Sequence, residues 1–461
     1  AGATTAGQDD FAARLRADEQ RLGIPATDPA QLAADPAALD LRLREIERRL
    51  AAQDASPVTA PATAVAAAPS QAPVVWLSTD KGLSVKSADG AIDLKFSALL
   101  QADQRIHLDD DANPQNDTFL WRRIRPTLQG TWGSLVGFRL TPEFAGESAS
   151  VVDAWIDLKF DPRATVRIGK VKGPLGLERL QSGNAIALIE RGLPTELVPN
   201  REIGVQLQGD LAKGKLNYVA GVYNGAPDGR DGATSNPDNE FEYAARVFAE
   251  PWKGSDSVLA GLGFGVAASI GDKIGTGANV LPRLRTPGQV QVFNYGTTVR
   301  ADGEHLRWTP QAYWYAGPAG LLAEYVNSSQ ALVETVSGNR ATLDNRAWQL
   351  VGSWVITGEK ASYRGVARPD QPFGVGKPGW GAFEVVARYG RLDVDDATFP
   401  VFASAASAVS GIESWGIGLN WYLTGNLKLA TNLTRTSFTQ GAAGGDRADE
   451  KILFTRAQVS F

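Results

Sequence analysis

"VVDAWIDLKFD", residues 151–161, alternates without a break from Asp153 onward. Asp153, Trp155, Asp157 and Lys159 share one parity, and Ala154, Ile156, Leu158 and Phe160 share the other. Successive side chains of a strand point to opposite faces, so this is a ribbon with one oily side and one charged side. The pattern recurs in "AIDLKFSALLQADQRIHL", "FLWRRIRPTLQGTW", "FEYAARVFAEPW", "GAFEVVARYGRL", "SWGIGLNWYL" and "LKLATNLTRT". A soluble fold would have to cover each oily face with a second layer, and no helical segment long enough to do so intervenes. Short turns such as "DPRA", "LAKGK" and "LTGN" instead alternate with long polar loops, the layout of an outer-membrane barrel. Lipid then covers the oily face, the charged face lines a lumen, and the sheet closes on itself because hydrocarbon cannot satisfy a free edge.

About seventeen strand-like segments can be counted, and a closed single-chain barrel with both ends on one side needs an even number. The expected fold is therefore all-β, a 16-stranded transmembrane antiparallel β-barrel over residues 76–461, wide enough to leave an aqueous channel. Trp121, Trp132, Trp252, Trp308, Trp314, Trp380, Trp421 and Tyr422 are expected near strand ends as interfacial girdles. The final strand, "KILFTRAQVSF", puts Leu453, Ala457, Val459 and Phe461 on one face. It looks like the C-terminal signal of bacterial proteins inserted into the outer membrane.

Composition supports this class. Among 461 residues the hydrophobic share is 43%, and the mean hydropathy is −0.18. No uninterrupted run of ~20 apolar residues occurs, which excludes a transmembrane helix but not a barrel. There is no Cys, and the only histidines are His107 and His305. No GxSxG motif is present. The acidic stretch "LDDDANPQND" lacks the glycine and glutamate of a calcium-hand loop. No catalytic site, metal or cofactor is expected. A net charge of −5 without a large basic patch excludes nucleic acid as a partner.

Residues 1–54 differ from the rest. In "DLRLREIERRLAA", Leu43, Ile46 and Leu50 fall at heptad spacing, with Asp40 as a plausible N-cap. Two heptads are marginal alone, so this helical, coiled-coil extension needs partners. Residues 55–75 are rich in Pro and Ala and read as an extended linker. The chain begins at Ala1 without an initiator Met, as a processed export product would. The extension would then sit in the periplasm, where peptidoglycan or an envelope protein could bind it.

Strand parity assigns the lumen. Asp93, Lys95, Gln101, Asp103, Arg105 and His107 oppose Ile92, Leu94, Phe96, Ala98 and Leu100. Arg123, Arg125, Thr127 and Gln129 oppose Leu120, Ile124 and Leu128. Arg122 falls on the oily parity, which places it at an interface or at a bulge that resets the register. Residues 171–204 carry too little alternation for a strand pair and are too apolar to hang in water. They are expected to fold inward and narrow the pore.

In order along the chain, "GLSVKSADGAIDLKFSALLQADQ", "FLWRRIRPTLQGTW", "VVDAWIDLKF", "VRIGKVKGPLGLERLQS", "IERGLP" and "GLNWYLTGNLKLATNLT" together resemble the phosphate-selective porin O and P family. The resemblance implies a homotrimeric, sixteen-stranded porin in the outer membrane of a Gram-negative bacterium. Such a porin passes anions such as phosphate along arginines to a constriction made partly by the third loop. The family's "FRR" motif matches "LWRR", nominating Arg123 with Arg122 beside it. The third-loop "ER" nominates Arg191, and Lys172 lies in the same loop. Arg105 follows "QAD" one residue closer than in the family. Asp153 matches the acidic strand motif, and Arg283 and Arg285 match a later arginine pair. One place departs: where phosphate-selective members carry Lys, "SGN" ends in Asn184, which implies weaker phosphate selectivity.

Guanidinium groups in a narrow passage suit oxyanions. Arg105, Arg123 and Arg191 could form such a cluster, or could pair with Asp103, Asp153 and Glu190 and merely stiffen the wall. The expected function is passive diffusion of small hydrophilic solutes biased toward anions. The surroundings are a homotrimer, outer-membrane lipid and lipopolysaccharide. The rival readings are a barrel that anchors a peptidoglycan tether and, last, an outer-membrane hydrolase.

Overall fold

A computed structural model describes Arg44, Val74–Ser78 and residues 82–461 apart from 110, 111 and 113. The coiled-coil reading of residues 1–54 and the linker at 55–75 fall almost wholly outside the described residues.

Sixteen antiparallel strands form the barrel. They are β1 Ile92–Leu108, β2 Thr118–Trp132, β3 Val136–Glu143, β4 Ser150–Asp161, β5 Ala164–Val171, β6 Glu202–Leu211, β7 Leu216–Tyr223 and β8 Glu242–Ala249. The second half is β9 Leu262–Gly275, β10 Val299–Ala316, β11 Ala319–Glu334, β12 Arg340–Val355, β13 Ala382–Asp393, β14 Val409–Tyr422, β15 Leu427–Ala442 and β16 Glu450–Ser460. Each pairs with its chain neighbours, and β16 closes the ring on β1 from Lys451↔Leu108 to Ser460↔Leu99. Below that seam a hairpin, Val74–Ser78 with Gly82–Lys86, adds to the foot of β1 through Leu83↔Phe96.

The opening stretch behaves as its alternation requires. Ile156 and Phe160 are 52% and 66% exposed on the outer face, while Asp157 is buried inside against Arg167 at 2.7 Å. An apolar face open on all sides is stable only when hydrocarbon covers it, at about 1.5–3 kcal/mol per large side chain. The aromatic belts are present, with different membership. Trp132, Trp354 and Trp380 are exposed near the short-turn end. About seven residues further up, Trp308–Tyr325 and Trp348–Tyr389 pack ring against ring. Tyr422 is a correction: it faces the lumen, and its hydroxyl donates to Glu384 at 2.8 Å.

At Arg122 the register shifts: Gln101 pairs with Arg123 and Ala102 with Trp121, leaving Arg122 unpaired. This bulge turns Arg122 and Arg123 both inward. It also reverses the expected parity above it, so that Leu120, opposite Asp103, lies on the inner face.

The segment 172–201 folds into the lumen, with Leu177, Leu188, Ile189, Leu193 and Leu197 buried. Residues of the later loops, Leu281, Leu284, Phe293, Tyr295 and Phe402, pack with Leu193 and Leu197. The half of the barrel lined by β10–β14 is thereby filled, and open space remains along β1–β7. The short-turn rule fails at residues 356–381. This segment joins β12 to β13 at the short-turn end yet enters the lumen, where Tyr363 stacks on Tyr313 at 5.0 Å and donates to the Leu177 carbonyl at 2.5 Å.

Candidate functional site

The inward loop is organised by a single helical turn, Leu177–Leu180. Its first amides, of Leu177 and Glu178, donate to the Glu324 carboxylate on β11 at 2.5 and 3.2 Å. That carboxylate caps the turn where its peptide dipoles are positive. Gln349 on β12 donates to both Glu324 (2.7 Å) and Glu178 (2.9 Å). Arg388 on β13 donates to the Glu190 carbonyl at 2.7 Å and lies 3.5 Å from Glu178. The loop is thus tied to one wall, and its other side faces the open channel.

The other end of the turn presents carbonyls, and cations gather there. Lys172 donates to Leu180 O (3.1 Å) and Gln181 O (2.7 Å). Arg191 donates to Glu178 O (3.1 Å) and Gln181 O (2.8 Å). Arg179 donates to Thr195 O and, at 3.1 Å, to Asn200 Oδ1. Among the described residues none of these three is ion-paired; their partners are neutral oxygens. Burial presses Arg191 down to about 9, helped by Arg179 and Arg201, which still leaves it charged at neutral pH. Burial, then Arg191 and Arg201, holds Lys172 well below the ordinary lysine range.

The opposite wall is also cationic, but compensated. Arg125 pairs with Glu143 at 2.5 Å and Arg167 with Asp157 at 2.7 Å. Asp153 receives Arg201 at 3.2 Å and lies 3.9 Å from Arg139. Glu190 receives Arg122 at 2.5 Å and Arg105 at 3.0 Å, with Arg456 at 3.7 Å. Burial would raise the Glu190 carboxyl, but these guanidinium groups overcome it and hold it below the usual carboxylate range.

Two cavities flank this constriction. The one toward the long loops, about 280 Å³, is lined by Arg122, Arg179, Arg191, Arg230 and Arg285 among others. The one toward the short turns, about 850 Å³, reaches Asp153, Lys172 and Arg201. Asn200 joins them: its Oδ1 accepts from Arg179 above and from Arg201 below, at 3.1 and 2.8 Å.

Of the residues nominated from sequence, Arg122, Arg191, Lys172, Asp153 and Arg285 meet at this passage. Arg283 lies two residues from the cavity-lining Arg285, in a small hairpin, where its carbonyl accepts from Arg230. Arg105 and Arg123 sit behind the loop, 8% and 2% exposed. Arg105 reaches Glu190 and, at 3.3 Å, Gly288 O; Arg123 donates to Gln101. His305 is buried within β10, 2.8 Å from Ser328 Oγ. Sequence reading left Arg179 and Arg201 unassigned, though both lie in the segment recognised as inward, and passed over Arg139, Arg167 and Arg230. Arg179, Arg201 and Arg230 lie outside the strands and carry no parity signal; Arg139 on β3 and Arg167 on β5 alternate with apolar neighbours, and parity could have found them. Among the described residues no His, Asp and Glu cluster is arranged to hold a metal.

The sequence model of the family described as "Phosphate-selective porin O and P" matches residues 95–461. A protein of Caulobacter vibrioides is 25% identical over 456 residues, covering 91% of this chain and 87% of that protein. The fold is similar to OmpT, an outer membrane protein of Vibrio cholerae, at TM-score 0.50 and 11% identity over 80% of this chain and 98% of that one. It is likewise similar to the outer membrane channel DcaP of Acinetobacter baumannii, at TM-score 0.50 and 12% identity over 82% and 99%. The chain belongs to the phosphate-selective porin O and P family: it is a porin of the Gram-negative outer membrane and not an enzyme.

Proposed function

We propose that this porin conducts small hydrophilic solutes by passive diffusion with a preference for anions such as phosphate, and that it works as a homotrimer. The observation that carries the anion preference is the trio Lys172, Arg179 and Arg191, which line the passage with carbonyl and amide oxygens as their partners. A cation paired with a carboxylate presents little net field to a passing ion. One held by neutral dipoles keeps its charge available, and its hydrogen-bond partners fix where it points. Binding to such a site is shared with water, so the ion can also leave, as conduction requires. With Asn184 rather than Lys on the loop, phosphate is one favoured anion among several in this reading.

Strand length supports the trimer. β3, β5, β7 and β8 have eight residues each, and at a tilt near 40° they rise only about 20 Å, short of an apolar band about 25 Å tall. β10, with 18 residues, exceeds that height. In addition, the β2–β3 pairing stops at Leu128↔Leu140 apart from one backbone bond, Phe144 N–H to Ile124 O at 3.0 Å, leaving residues 118–123 of β2 without a strand on that side. A low wall with an incomplete ladder is better covered by other protomers than by hydrocarbon. Outer-membrane lipid and lipopolysaccharide surround the tall side, and residues 1–54, with the linker 55–75, form the periplasmic extension.

Planar-bilayer recording in a salt gradient tests the reading. Stepwise ohmic conductance with an anion-leaning zero-current potential is expected, and phosphate should reduce chloride current. A cation-leaning potential would end the anion claim, and absence of conductance steps would favour an anchoring barrel.

A further inference from the structure

Resting on the reading that lipid surrounds the tall side, we propose that the outer face of the barrel carries a lipid-binding site across β14–β16, β1 and β2. One acyl chain of a phosphorylated glycolipid lies in a groove of the wall, and the lipid's phosphate is held above it by Arg435 and Lys451.

The groove follows from the register. Thr431, Thr455, Gln104 and Phe119 pair in turn across β15, β16, β1 and β2. One step nearer the short turns, Leu429, Ala457, Ala102 and Trp121 do the same. The small side chains of Thr431, Thr455, Ala457 and Ala102 make a low floor. Phe119 and Trp121, 80% and 56% exposed, stand along one margin, and Leu419 and Trp421 along the other. The recess between them is about 720 Å³, within the range of small-molecule sites. Thr431 Oγ1 donates to Phe454 O and Thr455 Oγ1 to Gln104 Oε1, both at 3.1 Å, so the floor's hydroxyls are satisfied within the wall. Trp421 is fixed by its indole N–H on Trp380 O at 2.6 Å and by stacking on Phe383 at 5.5 Å. The recess is therefore preformed.

Its polar end lies toward the long loops. There Trp415, Arg435 and Lys451 pair across β14, β15 and β16. Tryptophan beside outward cations marks the headgroup level of a bilayer. Lys451 stands four residues above Thr455, about 13 Å along the strand. Arg435 Nε donates to Asp449 Oδ2 at 2.8 Å, and Lys451 donates to Asp109 at 2.7 Å. Both cationic side chains are partly exposed, at 49% and 38%, and such surface pairs contribute little. Each cation also keeps N–H donors beyond those its carboxylate takes, and a phosphate at this level joins them.

A phosphate and an acyl chain at this spacing belong to one molecule in a lipid. β1, β2, β14 and β15 have 17, 15, 14 and 16 residues, enough to cross hydrocarbon, unlike the eight-residue strands given to the protomer interface. The groove thus opens on lipid. A chain that leaves bulk lipid for the groove gains no hydrophobic free energy, because both surroundings are apolar. Affinity comes from the phosphate contacts, and the groove selects by fit.

The test titrates full-length porin in detergent with diphosphoryl lipid A, read by native mass spectrometry. One lipid per protomer should bind saturably, and lipid A stripped of its phosphates should bind about tenfold more weakly. Arg435→Gln/Lys451→Gln should erase that difference. Ala102→Leu/Ala457→Leu fills the floor with side chains suited to a lipid face and should weaken both forms about fivefold. Unchanged single-channel conductance confirms that each variant is folded. Saturable binding unaltered in both double variants would overturn the proposal. So would displacement of the lipid by equimolar inorganic phosphate, which would leave a free-anion site only. A trimer that dissociates at lower temperature in Ala102→Leu/Ala457→Leu, with lipid binding intact, would give the groove to a second copy. Binding without saturation, equal in all forms, would leave a lipid-covered wall with no site on it. Failure to bind any lipid would remove the lipid-facing reading of the tall side first.

Discussion

Replacing Arg191 by Gln removes one of the three loop charges while keeping a polar side chain, and the structure sets the size of the effect. Arg191 lines the cavity wall, so an ion in the passage comes within about 6 Å of its charge. In water-like surroundings that interaction is about 0.7 kcal/mol, and more where protein replaces water. Its loss disfavours an anion and relieves a cation by the same amount, so the permeability ratio of chloride to potassium moves by about 1.4 kcal/mol, or tenfold. Zero-current potentials in a tenfold KCl gradient measure that ratio directly. Arg391→Gln is the control, because Arg391 is exposed and already paired with Asp393 and Glu413; it should leave the ratio unchanged. A change below twofold in Arg191→Gln would refute the idea that the carbonyl-held cations set selectivity.

Glu324→Ala strips two amides and Gln349 of their acceptor; at about 1.5 kcal/mol for each of these three charged hydrogen bonds it should cost about 4–5 kcal/mol, read as earlier thermal unfolding in detergent, with noisier single-channel current. Glu190→Gln leaves Arg122, Arg105 and Arg456 crowded without their shared carboxylate, so anion preference should rise while stability falls; a rise with unchanged melting would contradict the pairing described above. Lys172, held below the ordinary lysine range by burial and by Arg191 and Arg201, loses its charge before an exposed lysine does, so anion preference should fall as pH is raised toward that range. Lys172→Arg should flatten that profile, and an unchanged slope would count against the assignment. Ile168→Arg puts a charge on the outer face of the low wall, where Ile168 is 44% exposed; the trimer should dissociate at a lower temperature in detergent, whereas an equally heat-resistant trimer would place the interface elsewhere.

Strand parity made the barrel legible because a period of two admits one lipid-facing assignment per strand. The same rule misplaced Leu120 and left Arg122 ambiguous, since a bulge adds one residue and the sequence carries no mark of it beyond a charge on the wrong parity. Tyr422 misled for a related reason: an aromatic near a strand end can face either lipid or lumen, and here its hydroxyl finds Glu384 inside. The family motif drew Arg105 and Arg123 into the candidate gate, yet the fold sets both behind the loop. A residue's neighbourhood depends on which wall the loop leans against, and that choice is made by Glu324, Gln349 and Arg388, some 130 to 210 residues further along the chain. The entry of residues 356–381 into the lumen was hidden because Gly, Pro and charged residues there resemble any exposed turn.

The single turn Leu177–Leu180 ties selectivity to rigidity. Its amide end is fixed by a carboxylate on β11, and its carbonyl end fixes Lys172 and Arg191. Both sets of bonds depend on the turn remaining helical, because only then do the amides point one way and the carbonyls the other. Were the turn to unwind, Lys172 and Arg191 would lose their neutral acceptors and seek the nearest carboxylates, Asp153 and Glu178, and the field across the passage would fall. Loss of the Glu324 cap therefore acts on permeation as well as on melting, although Glu324 lies on the wall away from the channel. The anchoring wall determines what the loop can offer to a passing ion, and the charge of the passage cannot be altered independently of the bonds that hold the loop in place.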